Sequence, residues 1–143
     1  MTGMEQVRFL YETYIEQGEK LEANRKFTDG LFGFGKKPSD DPCHANFVQA
    51  LKEHLEDWTR RGADSARLRE AAAFIFQAPK EHEKPLSVYW PLGAAQASVQ
   101  AVIPGLNRED AQALAEQFKA IYRRWERMPA QEQMLKALEK AAK

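Results

Sequence analysis

The stretch LSVYWPLGAAQASVQAVIPGL, residues 86–106, contains no Asp, Glu, Lys or Arg over 21 residues, and this limits what the chain can fold into. An uncharged segment of that length is shielded either by the rest of the protein or by lipid. Val88, Leu92, Ala95, Val99 and Val102 are spaced by four, three, four and three residues, which places them on one side of a helix. Pro91 is tolerable near a helix start, while Pro104 and Gly105 end the helix. Gln96, Ser98, Gln100, a proline at each end and several alanines make a poor membrane span. The segment therefore predicts a helix nearly surrounded by other helices.

A chain of 143 residues fits one domain and can bury a sizeable core without disulfides or metals. Its 21 basic and 21 acidic residues cancel, so no global field draws in nucleic acid or an acidic membrane. The two ends differ: residues 119–143 carry seven Lys or Arg against three Glu, and residues 1–30 carry six acids against four bases. A complementary contact between the terminal helices, within one chain or between two, fits that asymmetry. One cysteine excludes an intrachain disulfide, and the N-terminus has no basic region followed by an apolar run, so the chain reads as cytoplasmic.

Other helices are legible from apolar periodicity. Residues 4 to about 25 place Val7, Leu10, Tyr11, Tyr14, Ile15 and Leu21 on one face, with Gly18 at a weak point. Residues 28–41, TDGLFGFGKKPSDD, form an irregular Gly/Phe loop whose Leu31, Phe32 and Phe34 are expected to lie over the bundle with their side chains tucked in. Asp41 as N-cap and Pro42 as first residue open a second helix that stops at Gly62, with Phe47, Leu51, Leu55 and Trp58 inward. A third starts at Asp64 or Ser65, buries Leu68, Ala71, Ala72, Ile75 and Phe76, and closes at Pro79; a solvated KEHEK connection follows. After the central helix, Asn107 caps a fifth whose inner side carries Ala111, Leu114, Phe118, Ile121, Tyr122 and Trp125. Met128 and Pro129 break the chain before a last amphipathic helix with Met134, Leu135, Leu138 and Ala142. No segment alternates with period two. The expected fold is all-α: a single helical domain over residues 1–143, a compact bundle of five to six helices around the central apolar one.

Spacing argues against each chemical motif in the chain. Gly30 to Lys36 matches the opening of a phosphate loop, yet Lys37 stands where a Ser or Thr should bind magnesium, Pro38 follows, and a helix rather than a strand precedes. Cys43 and His44 open the second helix, where helix amides favour a thiolate. Adjacent helical residues point about 100° apart, however, and Asp40 and Asp41 oppose the thiolate. Cys43, His44, His54 and His82 have no metal-ligand spacing, and His44 and His54 are about 15 Å apart along one helix. The carboxylate pairs Glu12/Glu16 and Glu53/Asp57 read as solvated helix faces. No catalytic residue, metal site or cofactor is expected.

Two features remain. Arg123, Arg124 and Arg127 surround Trp125, a pattern that can hold a partner or a phosphate backbone, although helical phase points Trp125 inward. Trp90 cannot share the face of Val88, about 200° away on a helix, so it packs against a separate neighbour such as the aromatic loop at residues 31–34 or helps line a pocket or an interface. The favoured reading is a non-enzymatic helical interaction or regulatory domain that binds a protein partner, another copy of itself included, because no catalytic constellation survives its spacing and the chain combines several amphipathic helices with three tryptophans and four tyrosines, types enriched in interface cores. The alternative is a small-molecule sensor or enzyme whose pocket lies between the central helix and residues 30–44, with Phe34, Tyr89 and Trp90 as walls and Lys36, Cys43 or His44 as polar contacts.

Overall fold

The computed structural model describes residues 3–16, 42–81, 90–127 and 129–143, and within them the protein is all-α. Six α-helices follow in order: α1 (3–16), α2 (Pro42–Arg60), α3 (Ser65–Glu81), α4 (Trp90–Val102), α5 (Arg108–Ile121) and α6 (Pro129–Ala141). Short 3₁₀ turns at Ile103–Gly105 and Arg124–Glu126 follow α4 and α5. No described helix is long and apolar enough to cross a membrane. The expected rings of residues 28–41, the cap at Asp41 and the outer part of the first helix lie outside the described residues.

Local chemistry sets most helix ends. Proline opens α2 and α6, where its missing N–H has no intrahelical partner to lose. Gly62 closes the α2–α3 turn at φ +82°, a left-handed conformation that side chains resist. Asn107, with extended backbone, accepts the Asp110 N–H on its Oδ1 at 2.7 Å and starts α5.

The expected stop at Pro79 does not hold, because α3 runs through it to Glu81. Proline's φ is itself helical, but its ring removes the N–H that would bond the Ile75 carbonyl and crowds that carbonyl. Two neighbouring carbonyls accept tyrosine hydroxyls from other parts of the bundle. The Tyr122 hydroxyl donates to the Phe76 carbonyl at 3.0 Å, and the Tyr11 hydroxyl to the Ala78 carbonyl at 3.3 Å. Tertiary hydrogen bonds thus support the turn that local propensity alone would end.

The central helix forms over Trp90–Val102, and of its expected inward face Ala95, Val99 and Val102 are buried, while Val88 and the Leu92 side chain lie outside the described residues. Among the described side chains of α4, Ala94, Ala97, Ser98 and Ala101 are buried as well, and exposure is confined to a strip at Gln96 and Gln100. Burial on nearly every side explains why the segment carries no charge, and its small side chains let α2, α3 and α6 approach closely. The one buried hydroxyl, Ser98, donates to the Ala94 carbonyl at 2.8 Å, so nothing polar is stranded there.

All six helices feed one apolar cluster, with Val7, Leu51, Leu55, Leu68, Phe76, Phe118 and Leu138 fully buried. Helices α1, α3 and α5 run in one direction: Arg8 and Tyr11 meet Phe74 and Ala78, Ser65 meets Asn107, and Phe76 meets Phe118 edge-on at 5.1 Å. The far end of α4 tucks under the α2–α3 turn. There Thr59 donates to the Ala101 carbonyl, and Gly105 faces Leu68 and Thr59 so closely that a Cβ would lie 2.6 Å from Leu68 Cδ1.

One polar cluster pins the starts of α3 and α5 together. The Ser65 hydroxyl accepts from the Asn107 N–H at 2.9 Å and donates to Asp110 Oδ2 at 2.5 Å, while Asp110 Oδ1 pairs with Arg69 at 2.9 Å. Asp110 is buried, but both of its oxygens have partners and it sits in the first turn of α5, where the helix dipole favours an anion.

Candidate interaction surface at the α5–α6 corner

The corner begins where α5 loses its helical phase. Tyr122, the C-cap, is extended at φ −113° and ψ 103°, although its N–H still bonds the Phe118 carbonyl. Its side chain is buried, stacked on Phe118 at 5.1 Å, and its hydroxyl is held by the Phe76 carbonyl. With Tyr122 anchored inward, the chain turns outward through the 3₁₀ turn Arg124–Glu126.

This overturns the expected inward direction of Trp125. The indole is 82% exposed, because the period that aligns it with Phe118 and Ile121 ends at Ile121. Arg123 and Arg124 are exposed beside it. Arg127 does not join them: its side chain is 12% exposed and pairs with Glu132 at 3.3 Å, with its Nε buried and lacking a hydrogen-bond partner. The corner thus presents one large apolar ring flanked by two cations, held from behind by Tyr122 and by Arg127. Pro129 disfavours a helical Met128, which ends the helix before the proline without setting the phase at Trp125; that phase is lost at Tyr122, whose hydroxyl is tied to the Phe76 carbonyl.

An ion pair near the corner joins α5 to α6. Lys119 reaches Glu139 at 3.3 Å and Glu116 at 3.5 Å. The hydrogen bond to Glu139, opposed by partial desolvation and aided by the charge of Glu116, holds the Lys119 ammonium above its usual range. Helices α5 and α6 are therefore two elements packed on each other, not one bent rod.

The other sequence candidates stand apart from this corner. Phe34, Lys36 and Tyr89 lie outside the described residues, and so do the side chains of Cys43, His44 and Trp90, although the backbone puts Cys43 and His44 in the first turn of α2 and Trp90 at the start of α4. His54 shares α2 with His44, but its Nε2 meets the Gly3 carbonyl at 2.9 Å and its ring stacks on Trp58, so it serves packing between α1 and α2. Among the described residues no three His, Cys, Asp or Glu side chains gather as a metal site. Glu53 accepts from Gln49, and Asp57 pairs with Arg60 and Arg61, as solvated helix faces do.

A groove of about 420 Å³ runs over α3 between α1 and α5, walled by Met4, Arg8, Arg67, Glu70, Phe74 and Gln117. Its cations are partly occupied, Arg8 lying over the Phe74 ring at 5.4 Å and Arg69 held by Asp110. No family model matches the chain, and comparison with curated proteins and solved structures finds no significant match.

Proposed function

We propose that this chain is a non-enzymatic helical interaction domain that binds a protein partner through the α5–α6 corner. The observation that supports this is Trp125, 82% exposed beside exposed Arg123 and Arg124 on a turn anchored by buried Tyr122. A tryptophan buries about 150–250 Å², so covering this ring offers roughly 3–5 kcal/mol of gross burial free energy. Trp and Arg are the residue types most enriched where interface energy concentrates, and an anchor presented on a fixed turn loses little conformational entropy on docking. The balanced total charge favours a protein partner over a polyanion, and a lone cysteine suits a reducing, cytoplasmic setting.

The test is quantitative retention on immobilised protein after nuclease treatment, comparing wild type with Trp125→Ala and Arg124→Ala. The expected result is a stoichiometric protein, the chain's own copy included, held by wild type and lost from both variants. Equal retention by wild type and Trp125→Ala overturns the reading. Binding that vanishes with nuclease assigns the corner to nucleic acid instead.

A further inference from the structure

Among the described residues only two large apolar side chains are exposed, Trp125 at 82% and Phe9 at 49%. Their surroundings are opposite in charge. Phe9 lies on α1 with Glu5, Glu12 and Glu16, at spacings of four, three and four residues that bring all four to one helix face, and all four are exposed. The Arg8 guanidinium turns toward α3 and sits over Phe74, and Glu5 and Glu16 have interactions of their own within the chain, so the strip's charge for docking is that of Glu12. Trp125 lies beside exposed Arg123 and Arg124. One patch is therefore an aromatic ring in an acidic strip, and the other an aromatic ring in a basic corner.

Helix α1 and the corner are both tied to the last turns of α3. Tyr11 of α1 and Tyr122 at the corner both donate their hydroxyls to the last turns of α3, at Ala78 and Phe76. Their exposure shows that the patches do not cover one another within a chain.

We infer that the occupant of the corner is a second copy of this chain, docked so that Trp125, Arg123 and Arg124 of each copy meet the Phe9 strip of the other. The inference rests on the interaction reading above and names its partner. Two patches that are complementary to one another can be matched twice about a two-fold axis, which closes the assembly at two copies. Aromatic contact supplies burial, and Arg124 opposite Glu12 supplies orientation, since like charges in that position would repel.

The deciding experiment is sedimentation equilibrium of the full chain over a wide concentration range, for wild type, Trp125→Ala, Arg124→Glu, Glu12→Arg, and an equimolar mixture of the two charge reversals. The proposal expects a wild-type dimer, weakened at least about 30-fold per contact by Trp125→Ala, the equivalent of the ~2 kcal/mol that marks a hot spot. Each charge reversal alone is monomeric. Mixing them restores a 1:1 pair, because one contact has both charges exchanged and the other is native. Far-UV circular dichroism of every variant confirms that α1 and the corner remain folded.

A wild-type monomer throughout overturns the proposal, as does a dimer indifferent to these changes. A monomer in which Trp125 is shielded from a soluble quencher assigns the surface to the chain's own residues 28–41, and also overturns it. A monomer that still retains a different protein through Trp125 overturns the second copy alone and leaves the interaction reading standing.

Discussion

Replacing Asp110 with alanine tests the polar cluster that joins the starts of α3 and α5. The change removes the acceptor for the Ser65 hydroxyl, the partner of Arg69 and an anion in the first turn of α5. A hydrogen bond to a charged group contributes about 1.5–3 kcal/mol. The Arg69 side chain is 37% exposed, which limits that pair to the ~0.5–1 kcal/mol of a surface ion pair. The helix dipole adds about 0.3–1 kcal/mol. The expected loss is about 3 kcal/mol, or roughly 10 °C in Tm for a chain of this size. The assay is urea unfolding followed by circular dichroism, with an unchanged slope as the sign that stability alone has moved. Ser65→Ala removes the same hydroxyl from the other side, while the Asn107 N–H it leaves behind is at the surface and takes water. The double variant should therefore cost about 1–2 kcal/mol less than the two single losses combined. A loss below ~1 kcal/mol for Asp110→Ala, or strict additivity with Ser65→Ala, refutes the linkage.

Further outcomes follow from the packing. Gly105→Ala forces a Cβ against Leu68, which is fully buried, and β-branched Thr59, and should cost about 1–3 kcal/mol in urea midpoint. Tyr122→Phe takes the hydroxyl from the Phe76 carbonyl and should cost about 1 kcal/mol, with faster hydrogen exchange confined to the last turns of α3. Lys119 has a raised pKa in the folded state, so its contribution is complete below the ordinary lysine value of 10.5 and is lost as pH rises through the higher folded value. Alkaline unfolding of Lys119→Gln compared with wild type should show that dependence disappear. Trp125→Ala should leave monomer stability within about 0.5 kcal/mol, as expected of a side chain in water; a large loss of Tm would mean that the ring is structural.

Much of the fold could be read locally. The inward faces of α2 and α3, from Phe47, Leu51 and Leu55 to Leu68, Ile75 and Phe76, followed from period alone because helical spacing and burial are the same geometric fact on an amphipathic helix. The candidate site was half legible. Arg123 and Arg124 were marked by their neighbourhood with Trp125, but the direction of the indole was not. Phe9 is hidden from a periodicity argument because it is the one apolar residue off the face of Val7, Leu10 and Tyr14, between Glu5 and Glu12.

What the sequence determined by itself is the set of helices and most of their ends. Proline at Pro42 and Pro129, the left-handed turn at Gly62 and the Asn107 cap act within a few bonds of the residue that carries them. The charge-free run likewise predicted a surrounded helix, since its glutamines, serines and prolines suit it poorly to lipid and leave the rest of the protein to keep it from water. Tertiary structure decided the rest. α3 passes Pro79 alongside hydroxyls delivered to its last turns from α1 and from the end of α5, and Trp125 faces solvent because Tyr122 is fastened to a carbonyl 46 residues earlier in the chain. Such contacts join residues that share no local pattern, so their effect on helix phase exists only once the helices have packed.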